Sequence, residues 1–92
     1  MDNRNYQIRF EEELNKEEVD LSDREDIKVH INELTAALIK NNVVRILDLR
    51  CCDLGDEEMR VFAKGIKENK SITELYLGGN QIGDAGAKYI SE

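Results

Sequence analysis

The sequence predicts an α/β chain built as a short solenoid, in which one strand and one helix alternate and stack unit on unit. Three observations predict it. The stretch Ser71 to Glu92, shifted back by 28 residues, falls on the unit Val43 to Lys70 from its first residue, so the chain contains an internal repeat. In that register Ile72, Leu75, Leu77, Ile82 and Ile90 meet Val44, Leu47, Leu49, Leu54 and Phe62, and Gly83-Asp84 meets Gly55-Asp56. Within each unit the apolar pattern changes from alternation to helical spacing, the signature of a strand followed by a helix.

Residues 1 to 14 stand outside the repeat. Tyr6, Ile8 and Phe10 alternate with Gln7 and Arg9, the period-two pattern of a half-buried strand, before the acidic run Glu11-Glu12-Glu13 ends it. This segment is expected either to cap the open first unit as a strand or to be a flexible tail. Residues 15 to 42 form a degenerate first repeat, with Val19 and Leu21 in the strand and Ile31, Leu34 and Leu38 in the helix. Its turn departs from the pattern, because Asp26 stands where Leu54 and Ile82 stand later. Residues 43 to 70 form a full repeat, with Leu47-x-Leu49 as strand and Met59, Phe62, Ala63 and Ile66 as the inner helix face. Residues 71 to 92 form an incomplete third, with Leu75-x-Leu77 and then Ala87 and Ile90. Parallel strands about 4.8 Å apart cannot match helices about 10 Å across, so the stack is expected to curve with its strands inside.

Two of these units carry the pattern LxxLxLxxN/CxL. It runs Ile72-x-x-Leu75-x-Leu77-x-x-Asn80-x-Ile82 and Val44-x-x-Leu47-x-Leu49-x-x-Cys52-x-Leu54. On these residues the chain resembles the leucine-rich repeats, and within them the ribonuclease-inhibitor-like subtype, over about 78 of its 92 residues. The resemblance implies a short right-handed solenoid, a horseshoe segment with parallel strands on the concave face and helices on the convex face. It also implies that the concave face is the usual binding surface. Asn80 and Cys52 occupy the position that points into the turn, where a buried side chain must satisfy backbone N–H groups leaving the strand ladder.

Composition narrows the function. The net charge is −7, with 11 of the 20 acids and 5 of the 13 bases in residues 1 to 33, and no basic stripe of the kind nucleic-acid binding requires. No apolar run approaches the ~18 residues of a membrane span, and the first residues do not form a signal peptide. The only cysteines, Cys51 and Cys52, are adjacent and without a third partner, which fits reduced thiols in the cytoplasm. No catalytic triad, phosphate loop or metal-ligand cluster is present, and Asp56, Glu57 and Glu58 fit the acidic start of a helix. The chain is therefore expected to be no enzyme and to hold no cofactor or metal.

Between the strand leucines lie the residues that face away from the core. They are Glu18, Asp20 and Ser22, then Ile46, Asp48 and Arg50, then Glu74, Tyr76 and Gly78. Asp20, Ile46, Asp48, Arg50, Glu74 and Tyr76 are the candidate partner-binding residues, with Tyr76 the exposed aromatic anchor. The alternative is an ordinary solvated sheet. The expected function is a protein–protein interaction module whose partner presents a basic patch. The second expectation is a structural unit that dimerises or stacks through the uncovered edge of its third repeat.

Overall fold

The computed structural model describes residues 3 to 91, and within them three parallel strands line one side of a helix layer. In chain order these are α1 (Asn3–Glu13), β1 (Glu18–Asp20), α2 (Asp26–Val29), α3 (Ile31–Lys40), β2 (Ile46–Asp48), α4 (Asp56–Glu68), β3 (Glu74–Tyr76) and α5 (Asp84–Ser91). The sheet order is β1-β2-β3, with Val19 opposite Leu47 and Leu47 opposite Leu75. That register is the 28-residue repeat itself, so each strand meets its own equivalent in the next unit. Leu21, Leu47, Leu49, Leu54, Leu34, Leu38, Met59 and Phe62 fill the space between sheet and helices and are all essentially inaccessible.

Three-residue strands offer few ladder bonds; flanking backbone bonds such as Leu21 N to Asp48 O and Leu49 N to Tyr76 O extend them, and asparagine side chains add more. At the exit of β3, Asn80 Oδ1 accepts the N–H groups of Cys52 (2.9 Å) and Leu54 (3.0 Å), while its amide donates to Leu49 O (2.9 Å) and Leu77 O (2.8 Å). One side chain thus ties four backbone groups across two repeats. A second set stands where the helices end. Asn41 accepts from Val43 N and Val44 N and donates to Leu14 O, and Asn69, 28 residues on, accepts from Ser71 N and Ile72 N and donates to Leu38 O and Asn41 O. Asp56 does the same for a helix start: its Oδ1 accepts from Gly83 N (2.7 Å) and Gly86 N (3.0 Å) at the head of α5. Asp56 is therefore a capping group of the next repeat.

The turn after each strand passes through the left-handed region at the same place, at Asp23 (φ 59°), Cys51 (58°) and Gly79 (72°). Only the third unit places glycine there, and a Cβ at Gly79 would lie 2.6 Å from Cys51 Sγ. In the first unit Asp26 enters no core slot; Ile27, one residue later, is fully buried instead. Arg24 holds the altered turn by pairing with both Glu13 and Asp26 (2.8 Å).

The N-terminal segment corrects the strand expected there. Residues 3 to 13 are helical, because Tyr6, Phe10 and Leu14 are also spaced four apart and make one helical face. Phe10 and Leu14 are buried against α3 while Ile8, the middle residue of the alternating pattern, is 53% exposed. Tyr6 stacks on His30 at 3.5 Å between ring centroids, and His30 Nδ1 lies 2.9 Å from Glu33 Oε1.

Two substitutions test this arrangement. Asn80→Ala should cost about 2–4 kcal/mol in chemical denaturation, since it strands Cys52 N and Leu54 N without partners. Gly65→Val should cost about 1–3 kcal/mol, because even a Cβ there would sit 2.5 Å from Thr35 Cγ2 where α4 crosses α3. Adding Thr35→Ala should return part of that loss, a coupling that a double-mutant cycle reads directly.

Candidate partner-binding face

The side of the sheet away from the helices carries every residue singled out from the strand alternation. Parallel pairing brings Asp20 beside Asp48 and Asp48 beside Tyr76, and in the row above it Glu18, Ile46 and Glu74 lie side by side. These residues border a shallow hollow of about 330 Å³, lined by Glu18, Asp20, Ile46, Asp48, Arg50 and Tyr76 with Val19 at its floor. Glu74 is not part of that lining; it reaches the group through Tyr76.

The residues differ in what they have left to offer. Asp48 is only 8% exposed, because the Arg50 guanidinium folds over its carboxylate at 2.7 Å while Arg50 N donates to Asp48 Oδ1 at 3.0 Å. Asp20 uses one oxygen in the same local turn, accepting from Ser22 N at 2.9 Å. Both aspartates therefore close the turn at the end of their strand, a role legible in the Asp-x-Ser and Asp-x-Arg spacing yet not separated by alternation alone. Charge reversal at Asp48 would disturb this turn along with the face. Tyr76 remains 44% exposed, its hydroxyl donating to Glu74 Oε2 at 2.6 Å and its ring 5.6 Å from the Arg50 guanidinium carbon. Asp48, Arg50, Tyr76 and Glu74 thus form one chain of contacts across β2 and β3.

The electrostatics follow from those contacts. The Arg50 side chain and backbone N–H hold the Asp48 carboxyl below the usual range, and the Ser22 hydroxyl and N–H do so for Asp20. The bond to Glu74, and its charge, push the Tyr76 hydroxyl above the ordinary phenol value. Burial raises the Cys52 thiol, whose Sγ–H donates to Leu21 O at 3.2 Å, which makes it a structural group rather than a nucleophile. Among the described residues no cluster of three His, Cys, Asp or Glu side chains could hold a metal, and no helix is long and apolar enough to cross a membrane.

Asp48 and Asp20 contribute stability that is present above the ordinary carboxylate value near 3.9 and is lost as pH falls through their lower folded values. In a carbon-detected titration the Asp48 carboxyl should show its midpoint below that ordinary value. Arg50→Gln should move the midpoint upward; an unchanged midpoint would separate Asp48 from Arg50 in solution.

The comparisons with known proteins agree with this architecture. A family model described as Leucine Rich repeat matches residues 40–63 and 68–91. No curated protein sequence matches the chain. Among solved structures, one titled "Leiomodin-1 Actin-Binding Site 2 (ABS2)" superposes with a TM-score of 0.77 at 28% identity, covering 91% of this chain and 50% of that one. The tropomodulin C-terminal domain of Caenorhabditis elegans superposes with a TM-score of 0.75 at 18% identity, covering 98% and 55%, a likeness of fold alone. The chain spans about half the length of each of these two structures. With two repeat matches that together span more than half its residues, in the register of its own parallel strands, the chain belongs to the leucine-rich-repeat family.

Proposed function

We propose that this chain is a non-catalytic protein-interaction module that takes its partner on the open sheet face. The observation that carries the reading is the hollow beside Tyr76, where an exposed aromatic is held in one orientation by Glu74 and Arg50. A pre-positioned aromatic loses little entropy on binding and contributes contact area at the centre of an interface. Ile46 adds apolar surface, and Asp20 and Glu74 leave the face acidic once Asp48 is neutralised by Arg50. A partner with a basic patch suits that charge, and association should weaken with salt. The proposal extends to the repeat subtype: 28-residue units are those of a ribonuclease-inhibitor-like array, curved and right-handed, with this face concave. On the same reading residues 1 to 14, of which 3–13 form the helix α1 against α3, cap an array of three repeats spanning 15–42, 43–70 and 71–92. A cytoplasmic setting keeps the unpaired Cys51 and Cys52 reduced.

Actin is the first partner to test, on the strength of the leiomodin-1 likeness. Sedimentation with filaments and fluorescence titration of monomers should be run with the wild-type chain and with Glu74→Lys/Tyr76→Ala, which spares the Asp48 turn. We expect the variant to bind at least about tenfold more weakly at unchanged helicity, the loss of one central anchor and one charge. Equal affinity for both chains would remove the sheet face as the site, and no binding by the wild type at high micromolar concentration would exclude actin.

A second reading has its own observation. Leu49 N and Cys51 N donate to Tyr76 O and Gly78 O of the following repeat, and no described strand follows β3 to serve Leu77 and Gly79 in the same way. An open edge of this kind pairs with another chain, giving a homodimer or longer stack. Sedimentation velocity across a hundredfold concentration range tests it, and a constant monomer would exclude it.

A further inference from the structure

The bases of this acidic chain are not spread evenly over its surface. The units repeat so that α3 and α4 each begin at one rim of the molecule and end at the other. The rim of helix starts carries Asp23, Glu25, Asp26, Asp53, Asp56, Glu57 and Glu58 against Arg24 and Lys28. At the other rim the ends of α3 and α4 and the loops after them carry Lys40, Arg45, Lys67 and Lys70 against Glu68.

Between the two helix ends lies a groove of about 390 Å³, bordered by Lys40, Arg45 and Lys70, with Ile39 along it and Glu68 at its margin. Lys40 in the last turn of α3 and Lys67 in that of α4 complement the negative helix ends. Arg45 and Lys70 lie beyond the helices, and the carbonyls of Leu38 and Asn41 already accept from the Asn69 amide. Their charge is surplus to capping. One acid, Glu68, lines the groove. Glu17, outside the lining, touches Arg45 at 3.4 Å, with both side chains largely in solvent. Among the described residues neither Lys40 nor Lys70 has an ion-pair partner. Ile39 is 41% exposed and Val43, just past the groove, 43%. The groove therefore joins unpaired cations to accessible aliphatic surface.

We propose that this groove is a second interaction site, separate from the sheet face, that takes an acidic peptide segment carrying an apolar residue. Carboxylates would meet Lys40, Arg45 and Lys70 while the apolar side chain lies on Ile39. The volume falls at the low end of the range of ligand-binding clefts. A long polyanion fits less well, since the acidic opposite rim and the net charge of −7 repel it. A short segment senses mainly the local field, which is screened over about 8–10 Å.

The test is fluorescence anisotropy at about 50 mM salt, with a labelled octapeptide of glutamate and aspartate around one leucine, beside its glutamine and asparagine counterpart. The acidic peptide should bind the wild-type chain at least about tenfold more tightly than the neutral one. Lys40→Glu/Lys70→Glu should abolish that preference, and the milder Lys40→Gln/Lys70→Gln should reduce it. Lys16→Glu/Lys28→Glu makes the same change in net charge, from −7 to −11, and should leave the preference within about twofold. Absence of preference in the wild type, or equal loss in that control, would overturn the proposal. So would sedimentation showing that the wild type self-associates and the groove variant does not, because the occupant would then be a second copy.

Discussion

A stack of strands only three residues long depends on bonds that the strands do not make themselves. Backbone bonds on either side of the strands, such as Leu21 N to Asp48 O and Leu49 N to Tyr76 O, lengthen the ladder, but the backbone turning away beyond them would leave N–H groups buried without acceptors. The Asn80 side chain removes that weakness by accepting from Cys52 and Leu54 while donating to Leu49 and Leu77. Asn41 and Asn69 perform the equivalent work where helices hand over to strands. These groups are specific to one register, since a slip of the stack would separate each amide from its partners in the neighbouring unit: Leu14 for Asn41, Leu38 and Asn41 for Asn69, and Leu49, Cys52 and Leu54 for Asn80. Among the described residues no buried side-chain nitrogen or oxygen lacks a partner.

The sheet face depends on that register in turn. Because Asp48 lies beside Tyr76, Arg50 reaches both its own turn and the Tyr76 ring. Charge is thereby consumed where it closes a turn and left available where it does not. Glu74, Tyr76 and Ile46 keep surface that a partner can use. The helix side shows a similar division: acids gather where α4 begins, bases lie where α3 and α4 end, and Arg45 and Lys70 lie beyond the helix ends beside them.

Much of this was readable from residue spacing, because the repeat compares the chain with itself. Leu47 and Leu75, Leu49 and Leu77, and Asn80 and Cys52 all lie where the 28-residue shift assigns them. The helix at residues 3 to 13 was not readable, since Tyr6, Ile8 and Phe10 satisfy a strand pattern while Tyr6, Phe10 and Leu14 satisfy a helical one. Only the presence of α3 as a surface to cover decides between them. The turn of the first repeat was equally opaque, because Arg24 is held by Glu13 from outside the repeat.

The sequence by itself determined the unit, its period and the two faces of each strand, because these follow from local periodicity and from one segment resembling another. The tertiary structure alone decided which polar groups remain free. Asp48 and Glu74 are both acids at outward strand positions, yet one is closed under Arg50 and the other leads to the exposed Tyr76. The bases around the groove, separated in sequence by up to 30 residues, become neighbours only when α3 and α4 end side by side. Spacing reports which face a residue takes, whereas its partners across the stack are set by which repeats come to lie against each other.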